Sequence, residues 1–190
     1  MFKTYLTLGF DHILDVQGYD HILFIIALCA LYKYTEWRKI LVLVTAFTIG
    51  HSITLALSAL GIVVFRSDII EFLIPLTIAM TALYNVIGKA SDASKLNASY
   101  LIALVFGWIH GLGFSNYFKA LLGKEESIIG PLFAFNVGVE LGQLIIVCIT
   151  MMISILLSKY LHVKHRDWTL FVSGGAFAVA ITLLLDAKFW

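Results

Sequence analysis

The sequence predicts an all-α integral membrane protein, a single domain over residues 1–190 with six transmembrane helices and short loops. Of its 190 residues, 61% are hydrophobic and 13% are charged, and the mean hydropathy is +0.95. A soluble domain is closer to half apolar and a quarter charged. Several apolar runs also reach the length of about 20 residues that a helix needs to cross a bilayer. We therefore expect membrane lipid to surround the chain.

The apolar runs are separated by short polar linkers. The six predicted spans cover residues 12–34, 39–65, 69–88, 98–122, 128–157 and 168–186. None of the linkers is long enough to hold a folded domain. The sequence contains no G-x-x-x-x-G-K-[ST] phosphate loop, which excludes ATP hydrolysis by this chain. It also lacks a large basic cluster, so we expect no nucleic-acid partner, and it leaves the oligomeric state open.

The distribution of basic residues predicts the orientation of the spans. Eight of the 13 Lys and Arg residues lie in the first, third and fifth linkers, and the other five lie on the opposite side. Cytoplasmic loops of membrane proteins carry the excess of Lys and Arg. This bias places both termini on the non-cytoplasmic side.

Polar side chains inside the spans indicate which helix faces point inward, because lipid does not accept them. In the second span, His51 belongs to a stripe with Thr48, Thr54 and Ser58 at helical spacing. His110 lies among glycines in the fourth span. In the fifth span, Glu140 is spaced with Asn136 and Gln143 along one face. A charged side chain at this depth costs roughly 2.5–3.5 kcal/mol, so each of these groups needs a partner or a function.

The first span raises a question, because Asp-His-Ile-Leu occurs in it twice. The pairs are Asp11-His12 and Asp20-His21. Nine residues correspond to about two and a half helical turns, which puts His12 and His21 on opposite sides of a continuous helix. Both histidines can face one site only if the chain breaks between them, and Gln17-Gly18-Tyr19 is a suitable place for such a break.

The depths of these residues predict a shared site. His51, His110 and Glu140 each lie 12 residues into their spans, and Asp20 and His21 lie slightly closer to the outer side. Imidazole nitrogen with carboxylate oxygen suits a divalent transition metal such as Zn, Ni or Co better than Mg or Ca. Chains of His and Glu also serve as proton relays, which is the alternative for the same residues. The purely structural interpretation is that these polar groups only hold the helices together.

Four motifs of the chain resemble those of the HupE/UreJ family of small bacterial membrane proteins. They are GYDHILF, FTIGHSITLAL, FGWIHGLGFSN and FNVGVELGQL. The resemblance implies a nickel or cobalt permease of the bacterial inner (cytoplasmic) membrane, associated with hydrogenase and urease maturation. It also implies a set of metal-handling residues: Asp20, His21, His51, His110 and Glu140.

The chain departs from the family pattern in two places. Nickel-linked members carry a histidine four residues before the glycine of H-P-x-x-G-x-D-H, where this chain has Leu14. They carry a second histidine after the H-G of the fourth span, where this chain has Leu112-Gly113-Phe114. The sequence thus resembles a divergent branch. Asp20-His21 matches the motif and Asp11-His12 does not, so His12 replaces the missing ligand only if the helix breaks near Gly18.

Two functions compete at the level of sequence. The first is a transition-metal permease with a transient intramembrane site. The second is an intramembrane zinc-dependent hydrolase of a lipid or amide, in which Ser52 and Glu140 are the candidate catalytic residues beside the metal. A third, structural reading is an assembly factor in which the polar cluster only stabilises the bundle.

Overall fold

The chain is all-helical, as the sequence predicts. The structure is a computed structural model that describes residues 2–88, 96–123 and 127–187, the side chains of 96–98 excepted. The described residues form seven α-helices and a 3₁₀ turn at Tyr34–Glu36, with no strand among them. The helices are α1 (Phe2–Leu14), α2 (Asp20–Ala30), α3 (Trp37–Ala59), α4 (Ser67–Ile87), α5 (Leu96–Leu122), α6 (Ile129–Tyr160) and α7 (His165–Asp186). Within these residues, α3 to α7 are long and apolar enough to cross a membrane.

The first predicted span is wrong in one respect, because it is not one continuous helix. α1 ends at Leu14 and α2 begins at Asp20. The Asp15 carboxylate accepts a hydrogen bond from the backbone N–H of Gln17 at 2.8 Å, which favours a turn over helix continuation. α2 is 11 residues long, or roughly 16 Å. It is therefore too short to cross the apolar core of a bilayer alone.

α1 and α2 together follow the length of α6. α1 packs against the first half of α6, running parallel to it, and a Cβ at Gly9 or at Gly138 would lie 2.0 Å from a backbone oxygen of the other helix. The far end of α2 reaches the start of α7, where the Thr169 hydroxyl donates to the Ala30 carbonyl at 2.7 Å. The first crossing is thus made in two pieces.

A second parallel pair, α3 with α5, forms the centre of the bundle. A Cβ at Gly50 would lie 2.1 Å from the Leu104 carbonyl oxygen, and one at Gly107 would lie 2.1 Å from the Phe47 carbonyl oxygen. These positions need glycine because the two backbones touch. The contacts confirm that the second and fourth predicted spans run in the same direction. They also bring the middle of α3, with His51, beside the middle of α5, with His110.

α4 and α7 form an antiparallel pair on the outside of this centre. The Asn85 amide on α4 donates to the Ala27 carbonyl at 2.7 Å and to the Ser173 hydroxyl at 3.1 Å. The guanidinium of Arg166 donates to the carbonyls of Asn85, Val86 and Gly88 at the end of α4. These bonds satisfy carbonyls that a helix end leaves open, and they fix α4 and α7 around α2.

Candidate metal centre

Four imidazoles, from four different helices, meet inside the bundle. His12 lies on α1, His21 on α2, His51 on α3 and His110 on α5. The ring centroids of His12 and His21 are 4.7 Å apart, and those of His21 and His110 are 5.0 Å apart. The His51 ring lies 6.0 Å from His12 and 6.1 Å from His21. One nitrogen from each of His12, His21 and His51 lies within 4.8 Å of the other two.

The facing nitrogens of this cluster are buried and lack hydrogen bonds. His51 and His110 are fully buried and His21 is 4% exposed. Among the described residues, no atom hydrogen-bonds to Nε2 of His12, His21 or His110. Neither nitrogen of His51 has a hydrogen bond of normal length, although the Asn136 amide lies near this ring. Buried polar atoms are nearly always partnered, and an orphan costs about 1–3 kcal/mol. Four adjacent rings in this state present lone pairs that one bound cation could accept.

Two of the rings are oriented by partners behind them. The Asp20 carboxylate lies 3.0 Å from Nδ1 of His21 and also accepts the His21 backbone N–H at 2.8 Å. Nδ1 of His110 donates to the Phe106 carbonyl at 2.8 Å. Because a carboxylate and a carbonyl accept hydrogen bonds, both contacts fit a neutral ring with its proton on Nδ1, which leaves the lone pair of Nε2 free. This is the usual arrangement behind metal-binding histidines.

His12 joins the cluster because the helix breaks. The residues between Leu14 and Asp20 are not helical, so His12 and His21 are no longer tied to opposite sides of one helix. His12 can replace the missing ligand only if the helix breaks near Gly18, and the structure has this break. Its ring is half-buried and packs on Phe114, with centroids 4.0 Å apart.

Glu140 lies in a different polar group. Its carboxylate accepts hydrogen bonds from the hydroxyls of Thr45, at 2.7 Å, and Thr48 on α3. The Thr48 hydroxyl also lies 2.8 Å from the Gln143 side-chain oxygen. The structure thus places Glu140 in the contact between α3 and α6. Asp20, by contrast, stands directly behind the His21 ring.

Ser52, the candidate nucleophile of the hydrolase hypothesis, is also engaged elsewhere. Its hydroxyl donates to the Thr48 carbonyl, one turn back in the same helix, at 2.7 Å. Ser and Thr hydroxyls commonly bond backbone carbonyls in this way inside helices. Neither Ser52 nor Glu140 shows a hydrogen bond to an imidazole of the cluster in the described residues.

Phenylalanine rings enclose the cluster. Phe24 and Phe47 stack on each other at 5.0 Å and contact His110 at 5.5 Å and 5.1 Å respectively. On another side, Phe114 and Phe135 stack at 5.0 Å, and both contact His12. These rings keep the site in a low-dielectric environment, where neutral imidazole is a good ligand and water competes poorly.

A cavity of about 800 Å³ leads to the imidazoles. His12, His21 and His110 line its inner part, and Glu71 and Tyr117 line its outer part. Glu71 is one turn into α4 and Tyr117 is near the end of α5, so the cavity reaches the end of the bundle where α3 ends and α4 begins. His51 does not line this cavity.

The geometry suits a borderline divalent transition metal. When two imidazoles bind one tetrahedral ion at about 2.0–2.1 Å per nitrogen, their ring centroids are about 5 Å apart. The measured separations of 4.7–6.1 Å lie close to this value. Nitrogen donors favour Zn, Ni, Co or Cu over Mg and Ca.

These features define a multi-pass membrane protein with a buried histidine cluster at the end of a cavity. The profile of the HupE / UreJ protein family matches residues 1–187, and the chain belongs to this family. The resemblance read from the four motifs is thereby confirmed. The chain matches no curated protein and no solved structure.

Proposed function

We propose that this protein is a transition-metal permease that carries a divalent ion, Ni²⁺, Co²⁺ or Zn²⁺, through the imidazole cluster. The observation that carries the proposal is the set of buried, unpartnered nitrogens from four helices at the end of one cavity. It is also the function that the family resemblance implies. The ion is the cargo, held for a short time by His12, His21, His51 and His110.

We infer inward transport, and the position of the cavity supports this direction. It opens at the end of the bundle that holds the second and fourth linkers, which the distribution of Lys and Arg assigns to the non-cytoplasmic side. An ion entering there moves toward the cytoplasm. A membrane potential that is negative inside contributes about 2.3 kcal/mol per charge for each 100 mV, or twice that for a divalent ion. This supply of energy requires no nucleotide site.

The other two hypotheses have less support. A hydrolase needs a base or a nucleophile beside the metal, and the hydroxyl of Ser52 and the carboxylate of Glu140 are bonded elsewhere. A purely structural polar cluster gains its stability from satisfied hydrogen bonds. The Nε2 atoms of His21 and His110 have none among the described residues. The unpartnered nitrogens therefore support a ligand-binding role over a structural one.

The test is metal uptake into proteoliposomes that contain the full chain. Radiolabelled Ni²⁺, Co²⁺ and Zn²⁺ are offered separately to the wild type, to His51→Ala and to His162→Asn. His162 lies in the α6–α7 linker with a φ of 53°, which asparagine tolerates, so this variant removes an imidazole outside the cluster. We expect uptake of one or more of these metals by the wild type and by His162→Asn, and at least about tenfold less by His51→Ala. Equal uptake in all three would contradict the proposal.

A hydrolase would give a different result in the same preparations. It would retain zinc stoichiometrically through purification and would move none of the three ions. A permease has to release its cargo, so we expect the bound metal to exchange readily with added chelator.

A further inference from the structure

A separate cavity of about 200 Å³ lies at the end of the bundle opposite the mouth of the main cavity. Its walls come from the α2–α3 connection, the end of α6 and the start of α7. None of the four clustered imidazoles lines it. This end holds the first and fifth linkers, which the distribution of Lys and Arg assigns to the cytoplasmic side. The cavity is therefore independent of the metal centre.

The charge of this cavity favours an anion. Lys33 and His165 line it, and the described lining residues include no Asp and no Glu. The Lys33 ammonium forms no ion pair in the described parts of the chain, and the carboxylate of the nearby Glu36 pairs with Lys39 at 2.6 Å. Asp167, in the first turn of α7, does not line the cavity. A positive charge thus faces this space without a protein counter-ion among the described residues.

Ser154 supplies a buried polar group to the same cavity. It lines the cavity and is only 8% exposed, and its hydroxyl makes no hydrogen bond within the described residues. A helical serine commonly donates to the carbonyl one turn back, as Ser52 does. The indole N–H of Trp168, another lining residue, is also buried without an acceptor. Buried donors are nearly always partnered, so this pair favours a ligand that brings acceptor oxygens.

The rest of the lining is apolar and lies at the level of the membrane surface. Leu157, Val163 and the ring of Trp168 contribute to the wall. Trp and Tyr concentrate at the boundary between lipid and water, and Trp37 and Tyr160 at this end are 50% and 67% exposed. A drug-sized ligand needs a pocket of roughly 300–1,000 Å³. The smaller volume here suits a headgroup whose acyl chains remain outside, in the bilayer.

We propose that this cavity binds the phosphate of an anionic phospholipid headgroup. The ammonium of Lys33 balances the charge, and the Ser154 hydroxyl and the Trp168 indole N–H donate to the phosphate oxygens. Basic pockets between membrane helices on the cytoplasmic side are suited to anionic headgroups. Beside Leu157 on α6, the exposed apolar side chains of Ile153 and Leu156 can be covered by the acyl chains of the same lipid.

The test is lipid binding to the full chain, purified in detergent and followed by native mass spectrometry. Phosphatidylglycerol, which is anionic, and phosphatidylcholine, which has no net charge, are titrated separately, and inorganic phosphate is added as a competitor. The variants are Lys33→Gln and Ser154→Ala. The matched control is Lys159→Gln, which removes a positive charge at the same end of α6 from a residue that does not line the cavity. It measures the attraction that any basic residue near the surface exerts on anionic lipid.

We expect the wild type to bind one phosphatidylglycerol at least about fivefold more tightly than phosphatidylcholine. Lys33→Gln and Ser154→Ala should each weaken phosphatidylglycerol binding at least about fivefold, because each removes a partner of a charged group. Lys159→Gln should bind as the wild type does. Melting temperatures without added lipid should be the same in all four proteins, which shows that the variants are folded. If Lys33→Gln does not fold, Ser154→Ala tests the same cavity from α6.

Three results would overturn the proposal. The first is equal affinity of the wild type for the two lipids. The second is phosphatidylglycerol binding by Lys33→Gln and Ser154→Ala that equals binding by Lys159→Gln. The third is displacement of phosphatidylglycerol by an equal concentration of inorganic phosphate, which would assign the cavity to free phosphate instead of a lipid.

Discussion

The imidazole rings of His12 and His21 lie 4.7 Å apart, centroid to centroid, although the two residues belong to different helices. In an unbroken helix they would point in opposite directions. The break between Leu14 and Asp20 therefore creates the cluster as well as interrupting a membrane crossing. Broken helices at binding sites are common in membrane transporters, where they give a cavity its polar groups.

Substituting His12 with alanine should weaken metal binding. His12 supplies one of the three nitrogens that lie within 4.8 Å of one another, and Leu14 stands at the motif position where the resemblance would place a histidine. We expect the affinity for Zn²⁺ or Ni²⁺ to fall at least about tenfold in His12→Ala. The measurement is a competition titration with a chelator, with His162→Asn as the control. Unchanged affinity would show that His12 is only a packing partner of Phe114.

Asp20 should affect the metal affinity indirectly, because the oxygen that accepts from His21 is not available to touch the ion. Its Oδ1 holds Nδ1 of His21 at 3.0 Å and so directs the lone pair of Nε2 into the cluster. Asparagine keeps the size of the side chain but removes the charge that makes the ring a stronger donor. We expect Asp20→Asn to lower the affinity for Zn²⁺ about 10- to 100-fold. Asp68→Asn, which removes a carboxylate outside the cavity, should leave it unchanged.

The sequence predicts most of this arrangement because the membrane restricts where polar groups can be. His51 and His110 lie deep in apolar spans, and close packing of α3 on α5 through Gly50 and Gly107 brings them together, as their depths predicted. The break in the first span was less predictable. A side-chain hydrogen bond from the Gln17 N–H to Asp15 competes with helix continuation there.

The partner of Glu140 was harder still to predict from the sequence. A carboxylate in a span needs polar neighbours, but periodicity along α6 does not show which helix supplies them. The hydroxyls of Thr45 and Thr48 do so from α3. Threonines in spans usually serve helix packing, so nothing in the sequence distinguishes these two as partners for a carboxylate.

Substituting Glu140 with glutamine should separate its role from that of the imidazoles. Glutamine can still accept a hydrogen bond from Thr45 or Thr48, so the α3–α6 contact should persist. Because Glu140 is bonded to these hydroxyls, we expect the metal affinity of Glu140→Gln to stay within about twofold of the wild type. Chelator competition measures this directly. A loss of tenfold or more would return Glu140 to the ligand set that the resemblance implied.

Adding a single methyl group at Gly107 should damage both the bundle and the metal site. A Cβ there would lie 2.1 Å from the Phe47 carbonyl oxygen, so α3 and α5 have to separate to accept it. Separation moves His51 away from His110, and strain of this kind costs about 1–3 kcal/mol. We expect Gly107→Ala to lower the melting temperature in detergent and to weaken Zn²⁺ binding in the same sample. Gly175→Ala on α7 is the matched control, because, apart from its chain neighbours and its own helix backbone, no atom in the described structure lies within 4 Å of the added methyl group. If Gly107→Ala melts and binds like Gly175→Ala, the close contact of α3 with α5 does not set the spacing of the cluster.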